Sequence, residues 1–298
     1  MKIVVTGSLG NISKPLTQNL VQQGHAVTVI SSNEQKAAEI EALGATPAIG
    51  ALEDLDFLTA AFTGADAVYC MVPPNNYFDH SLDLMAFYHT MATNYAEAIQ
   101  QSGVKRVVHL SSIGAHLPEG NGIIAGHYRI EQTLRAIPGI RLTHMRPTYF
   151  YYNLLPYAGM VKHTGGIATN YGGEDTVVLV APVDIAAAIA DEIVTPGDTL
   201  KVRYVASDER TCNEIAAAIG QAIGKPGLRW EVTTSEQMTA GLQAVGMNPE
   251  IAAGLVEMYA CMHAGILAED YYRNRPAVMG KVKLEDYIPA FVAAYNQI

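Results

Sequence analysis

The chain of 298 residues predicts an α/β fold built on a doubly wound parallel sheet, and three observations carry that reading. Short runs rich in Val and Ile alternate with segments of helical period through the first half, as a parallel sheet wrapped by helices requires. A Gly-x-x-Gly turn, Gly7 to Gly10, joins the first apolar run to the first amphipathic segment. After about residue 150 the texture turns Gly- and Tyr-rich and then mainly helical, which marks a smaller, mostly α C-terminal lobe.

In chain order, strands are expected at about 2–6, 26–30, 46–49, 66–72, 105–110 and 140–145. Parallel strands are buried on both sides and read as near-continuous apolar runs, as Ile3-Val4-Val5 and Val27-Thr28-Val29-Ile30 do. The helix after the glycine turn aligns Ile12, Leu16 and Leu20. The helix before residue 105 aligns Met85, His89, Ala92, Ala96 and Ile99. The stretch from Tyr149 to Gly166 shows few periodic segments, and Tyr149, Tyr151, Tyr152 and Tyr157 within it form either an aromatic wall for a flat substrate or lobe core. A helix at 183–194 and a strand near 201–206 rejoin the sheet. Thr211 and Glu214 make a capping box opening a helix at 212–223, and Asn248-Pro249 opens another. The last helix lines up Leu284, Ile288, Phe291 and Tyr295, a stripe that docks on its own lobe or on a second subunit.

Composition narrows the functions. A net charge of −10 with no run of Lys and Arg offers no footprint for nucleic acid or an anionic membrane surface. No apolar stretch reaches the roughly 20 residues that span a bilayer. Cys70, Cys212 and Cys261 are odd in number and far apart, so neither a disulfide framework nor a zinc cluster is expected, and a reducing cytoplasm fits. No histidine lies three or four residues from another, so no metal site is expected. A Gly-x-Ser-x-Gly elbow and a Gly-Lys-Ser/Thr loop after the first strand are both missing, which disfavours serine hydrolases and common NTPases.

Strand, glycine turn and amphipathic helix in succession make Gly7-Ser8-Leu9-Gly10-Asn11-Ile12-Ser13 a dinucleotide phosphate loop of Rossmann type. Gly7 permits the tight turn, Gly10 lets the backbone approach a pyrophosphate, and free amides at the helix start face its charge. Ser13 replaces a third glycine. At the end of the second strand, where a carboxylate would bind the adenosine ribose of NAD, stand Ser31, Ser32 and Asn33, with Lys36 close by. These donors suit a 2′-phosphate, so NADP(H) is expected over NAD(H). The expected division is a cofactor domain of residues 1–150 plus about 183–206 and a substrate lobe of about 151–182 and 207–298.

Several segments then resemble the NmrA-like branch of the atypical short-chain dehydrogenase/reductases. They are Val5 to Gly10, Asp66-Ala67-Val68 leading to Val72-Pro73-Pro74, Gly103 to Ala115, and Arg146-Pro147-Thr148-Tyr149-Phe150 with Asn153. The resemblance implies that Met71, Val72 and Pro73 and the paired Ser111 and Ser112 lie over the cofactor. It adds Leu52 to the cofactor set and places Pro147 and Tyr149 near the nicotinamide. Ala51 stands where relatives carry an adenine-contacting Asp. The superfamily's Tyr-x-x-x-Lys proton-transfer pair falls on Ile123 and His127, so that pair is missing. His127, whose imidazole titrates near neutrality, and Tyr128 are the substitute candidates, unless His127 only packs on its helix. The resemblance implies an NADPH-dependent oxidoreductase passing hydride to a small, flat acceptor such as a quinone, or a non-catalytic redox sensor acting through a protein partner.

Overall fold

The computed structural model describes residues 1–195, 197 and 199–298. Seven parallel strands form the central sheet: β1 (Lys2–Val5), β2 (Ala26–Ser31), β3 (Thr46–Ile49), β4 (Ala67–Cys70), β5 (Arg106–Leu110), β6 (Arg141–Pro147) and, later in the chain, β10 (Leu200–Val205). Their order, β10-β6-β5-β4-β1-β2-β3, turns back at β1, with Ile3 in register with Val27 on one side and Ala67 on the other. A crevice opens at such a switch point beyond the carboxyl ends of β1 and β4, where ligands of doubly wound sheets bind.

Helices cover both faces. On one side α1 (Ser13–Gln22) packs against α7 (Pro182–Val194), and Ile12, Leu16 and Leu20 are buried there with Ile185, Ile189 and Ile193, beside α2 (Ala37–Ala42). On the other lie α3 (Leu55–Phe62), α4 (Leu84–Ser102) and α5 (Ala125–Arg135). The buried stripe of α4 differs from expectation. It runs through Leu84, Tyr88, Met91, Tyr95 and Ile99 with Ala92 and Ala96, while Met85 is half-buried and His89 exposed. The helix packs on α3 and α5 as well as the sheet, so its apolar face is wider and turned from the stripe that spacing alone suggests.

The remaining elements build a second core. They are β7 (Tyr149–Phe150), α6 (Pro156–Thr164), β8 (Ile167–Thr169), β9 (Thr176–Val180), β11 (Asp208–Thr211), α8 (Cys212–Ala222), β12 (Trp230–Val232), α9 (Ser235–Ala244), α10 (Pro249–His263), α11 (Glu269–Arg273) and α12 (Leu284–Gln297). The stretch from Tyr149 to Gly166, expected to show few periodic segments, therefore holds a strand, β7, and a helix, α6. Pro156 starts α6, and Gly165, at φ +84°, ends it in the left-handed conformation that glycine takes without strain. The capping box at Thr211 and the Asn248-Pro249 start form as expected. The stripe on α12 turns inward, with Leu284 and Phe291 buried and Ile288 and Tyr295 packed on the same core. Tyr151 and Tyr157 are buried in that core too, so they form no substrate wall. Among the described residues no single helix is long and apolar enough to cross a membrane.

Candidate cofactor site and acceptor cleft

The phosphate loop sits on the switch point. Gly7 adopts φ +88°, and a Cβ there would lie 2.6 Å from Ser13 Oγ and 3.0 Å from the Met71 side chain, so only glycine fits. Ser8 follows with φ 53°; its N–H donates to Ile30 O at 3.0 Å and its hydroxyl to Ser31 Oγ at 2.9 Å. The Gly10 N–H donates to Gly7 O, closing the turn. Ser13 does more than fit where glycine is common, since its buried hydroxyl donates to Thr6 O at 2.8 Å and ties α1 to β1. No side chain caps the start of α1 and no acidic residue lies in its first turn, so its free amides face the loop, ready for an anion.

The end of β2 forms the neighbouring wall. Ser31 is buried, Ser32 and Asn33 are exposed, and Asn33 Oδ1 accepts from the Gln35 N–H to start the 3₁₀ turn Glu34–Lys36. Lys36 Nζ donates to one oxygen of Glu39, and Lys14 Nζ donates to the other, each at 2.9 Å. The two lysines, Lys14 first, hold the Glu39 carboxyl below its usual range. Sequence reasoning missed Lys14 and Glu39. The signal for Lys14 was there: a cation in the first helical turn opposes the helix dipole and calls for an anion nearby. Leu52 buries its side chain in the sheet core, and its carbonyl accepts from Asn94 Nδ2 at 3.1 Å.

On the other side of the crevice, the Met71 N–H donates to Thr6 Oγ1 and the Tyr95 hydroxyl to Met71 O at 2.6 Å, fixing the segment that carries half-buried Val72 and Pro73. Ser111 and half-buried Ser112 follow β5, and buried Pro147 ends β6. The Ser111 hydroxyl donates to Glu131 at 2.6 Å, and Glu131 is gripped by two nitrogens of Arg146 at 2.9 and 2.7 Å. Arg146 also reaches the Tyr204 hydroxyl and Asp270 of α11, joining the cofactor face to the C-terminal lobe. Burial works against its charge, but Glu131 outweighs that and holds the guanidinium firmly protonated. Half-buried Tyr149 turns its hydroxyl to Tyr171 and Asn153 O, into the second core.

Ile123 and His127 sit at the start of α5. His127 packs its ring on Tyr88, with centroids 5.2 Å apart, and although the residue is only half-buried its Nδ1 is sealed without a partner. Burial lowers its pKa to about 4, so the imidazole is neutral at physiological pH, contrary to the expected titration near neutrality. Tyr128 is half-buried, and its hydroxyl makes no hydrogen bond among the described residues. Beside them a cleft of about 570 Å³ opens between the start of α4, the turn Gly122–Ile124 and α10. Leu82, Leu84, Met85, Ile123 and Ile251 give it apolar walls. Its width is set by close contact of backbones, since a Cβ on Gly122 would lie 1.8 Å from Gly254 O.

This is a nucleotide-binding architecture, and comparison with known proteins places it. A model of an NAD(P)H-binding family matches residues 7–196, more than half the chain, and the protein belongs to that family, with the fold of the atypical short-chain dehydrogenase/reductases. It is similar to an NAD(P)H azoreductase from Xenophilus azovorans, 27% identical over 267 residues and 89% of each chain. An NADPH-dependent quinone oxidoreductase from Escherichia coli shares the fold with a TM-score of 0.78 at 22% identity, over 97% of this chain and 98% of that one. So does a triphenylmethane reductase from Citrobacter sp. complexed with NADP(H), with a TM-score of 0.79 at 20% identity, over 97% and 99% of the two chains.

Proposed function

We propose that the protein is an NADPH-dependent reductase passing hydride to a small, flat acceptor such as a quinone. The observation that carries this reading is continuity: the loop at the switch point adjoins Met71, and the chain runs on from Val72 to Leu82, which lines the apolar cleft. Gly7 to Ile12 hold the pyrophosphate. Ser31, Ser32 and Asn33, with Lys14 and Lys36, hold the 2′-phosphate, while Met71, Val72, Pro73, Ser111, Ser112, Pro147 and Tyr149 enclose the nicotinamide end. The bound cofactor supplies hydride; the protein supplies position and exclusion of water. His127, neutral, offers a hydrogen bond to the acceptor, and a proton needed by a reduced quinone comes from solvent. Residues 1–150 with about 183–206 carry the cofactor, and about 151–182 with 207–298 close over the acceptor. We place the protein in the cytoplasm, where its three free, buried cysteines remain thiols.

Its similarity to an azoreductase over 89% of the chain supports the reading. The test is NADPH oxidation with menadione and a panel of further quinones. Steady turnover is expected; tight NADPH binding with no turnover of any acceptor would overturn the reductase and favour a redox sensor.

A further inference from the structure

The sequence marks Asn248 only as the residue that opens α10, yet capping occupies just half of its side chain. Oδ1 accepts from the Glu250 N–H at 3.0 Å and the Ile251 N–H at 3.4 Å, which starts the helix. The two hydrogens on Nδ2 point away from the helix. They go to Asp79 O at 3.0 Å and Leu82 O at 3.2 Å, while the Asn248 N–H donates to Tyr77 O at 2.9 Å. Asn248 is 4% exposed, so water competes little for these bonds. Ser, Thr or Asp would cap α10 as well; of the good capping residues only Asn adds two side-chain donors.

The carbonyls it holds lie on the segment between the cofactor crevice and the acceptor cleft. The ends of that segment are anchored separately, Met71 by Thr6 and Tyr95, and Asp83 by accepting from the Ala86 N–H at the start of α4. Residues 74–82 between them form no helix or strand. Among the described residues, every hydrogen bond that ties 74–82 to another part of the chain goes to Asn248 or to Gly246, whose carbonyl accepts from His80 Nε2 at 3.1 Å. Leu82 lines the cleft, and so does Ile251 in the helical turn that Asn248 caps. One buried side chain therefore bonds to the backbone of two facing walls and sets their separation.

Resting on the reductase reading, we propose that Asn248 is a positioning residue for the acceptor: by clasping Leu82 and Ile251 it fixes the gap that a flat ring enters, and governs acceptor affinity without touching the cofactor. Asn248→Asp separates this role from capping. The carboxylate still caps α10, where its charge suits the helix dipole, but it offers no hydrogen to Asp79 O and Leu82 O and turns an oxygen towards them. Residues 77–82 should then detach locally while the rest of the fold stands. In N248D, KM for menadione is expected to rise about tenfold, as the loss of one or two net hydrogen bonds allows, with kcat within about threefold and the Kd of NADPH within about twofold. Cofactor affinity is spared because Met71 keeps its own anchors. Chymotrypsin should also cut after Tyr77 or Phe78 faster in N248D than in the natural protein, since cleavage needs that segment to leave the surface.

A residue that merely caps or stabilises would lower the active fraction, and with it kcat, and leave KM alone. An unchanged KM in N248D, or NADPH weakened as much as menadione, would overturn the proposal. If N248D does not fold, His80→Ala decides, because His80 is exposed and holds the same segment by one bond. It should raise KM about two- to threefold with NADPH affinity kept, and an unchanged KM there would overturn the proposal too. The natural protein separates the two readings. If it reduces menadione and N248D keeps its KM, this proposal alone fails; if it binds NADPH and reduces no acceptor, the reductase reading fails.

Discussion

On the proposed reading, the Lys14–Glu39–Lys36 triangle sets how strongly the protein separates NADPH from NADH. Its two ion pairs are 2.9 Å long, but the three side chains are 42%, 40% and 43% exposed, so water competes and the lysines are readily drawn to a better anion. A 2′-phosphate is one, with a charge of about −1.5 to −2 and three acceptor oxygens. Unit charges about 4 Å apart interact by about 1 kcal/mol in water and about 4 kcal/mol near a protein surface. After screening and loss of side-chain freedom, roughly 1–2 kcal/mol per lysine is a reasonable expectation, or about five- to thirtyfold in Kd. Lys14→Ala and Lys36→Ala should each weaken NADPH by that factor and leave NADH within about twofold. Glu39→Gln removes the competing carboxylate and should tighten NADPH a fewfold. Separate titrations of both cofactors by nicotinamide fluorescence, at two salt concentrations, give the ratios. If the lysine variants weaken NADPH and NADH equally, the lysines act on the shared pyrophosphate or on folding, and the assignment of the 2′-phosphate is wrong.

Three further expectations follow from the packing. Gly122 has φ +56° and faces Gly254 O, so Gly122→Ala must push α10 outward; a loss of at least about 2 kcal/mol by denaturant unfolding is expected, and an unchanged midpoint would contradict this contact. Arg106 and Glu192 are ion-paired with side chains only 3% and 2% exposed, so Glu192→Ala should cost about 3–5 kcal/mol by leaving a buried guanidinium unpaired, whereas joint replacement by Met and Leu should cost much less in the same measurement. Burial lowers the pKa values of His127 to about 4 and His144 to about 3 from the ordinary 6.5, so the unfolded chain binds these protons first. Their neutral burial therefore stabilises the fold fully above pH 6.5, and that contribution is lost as pH falls from 6.5 towards 4 and 3. Melting temperature against pH should decline across that window, and His127→Gln should flatten its upper part, while menadione turnover should show no His127 ionisation between about pH 5 and 8.

What was legible in the sequence was whatever a local pattern dictates. The sheet strands were found within a few residues because the central ones are buried on both faces, and Gly7 and Gly10 announced the loop because a tight turn at a helix start tolerates little else. The buried stripe of α4 was misplaced because it is decided by α3 and α5, its lateral neighbours. The helix α6 was hidden by glycines and tyrosines that serve as caps and core. Lys14 and Glu39, 25 residues apart, meet only because β2 lies between their helices, and the cleft joins Leu82 to Glu257 across the length of the chain. The chemistry divides in the same way. The loss of the Tyr-Lys pair is readable in Ile123 and His127, but the proton affinity of His127 belongs to its packing under Tyr88 rather than to imidazole. On the reductase reading, rate then depends on how flat the acceptor lies against the nicotinamide, and hence on Ile123, Met85 and the spacing set by Gly122 and Gly254. These are positions that sequence patterns present only as ordinary core and turn.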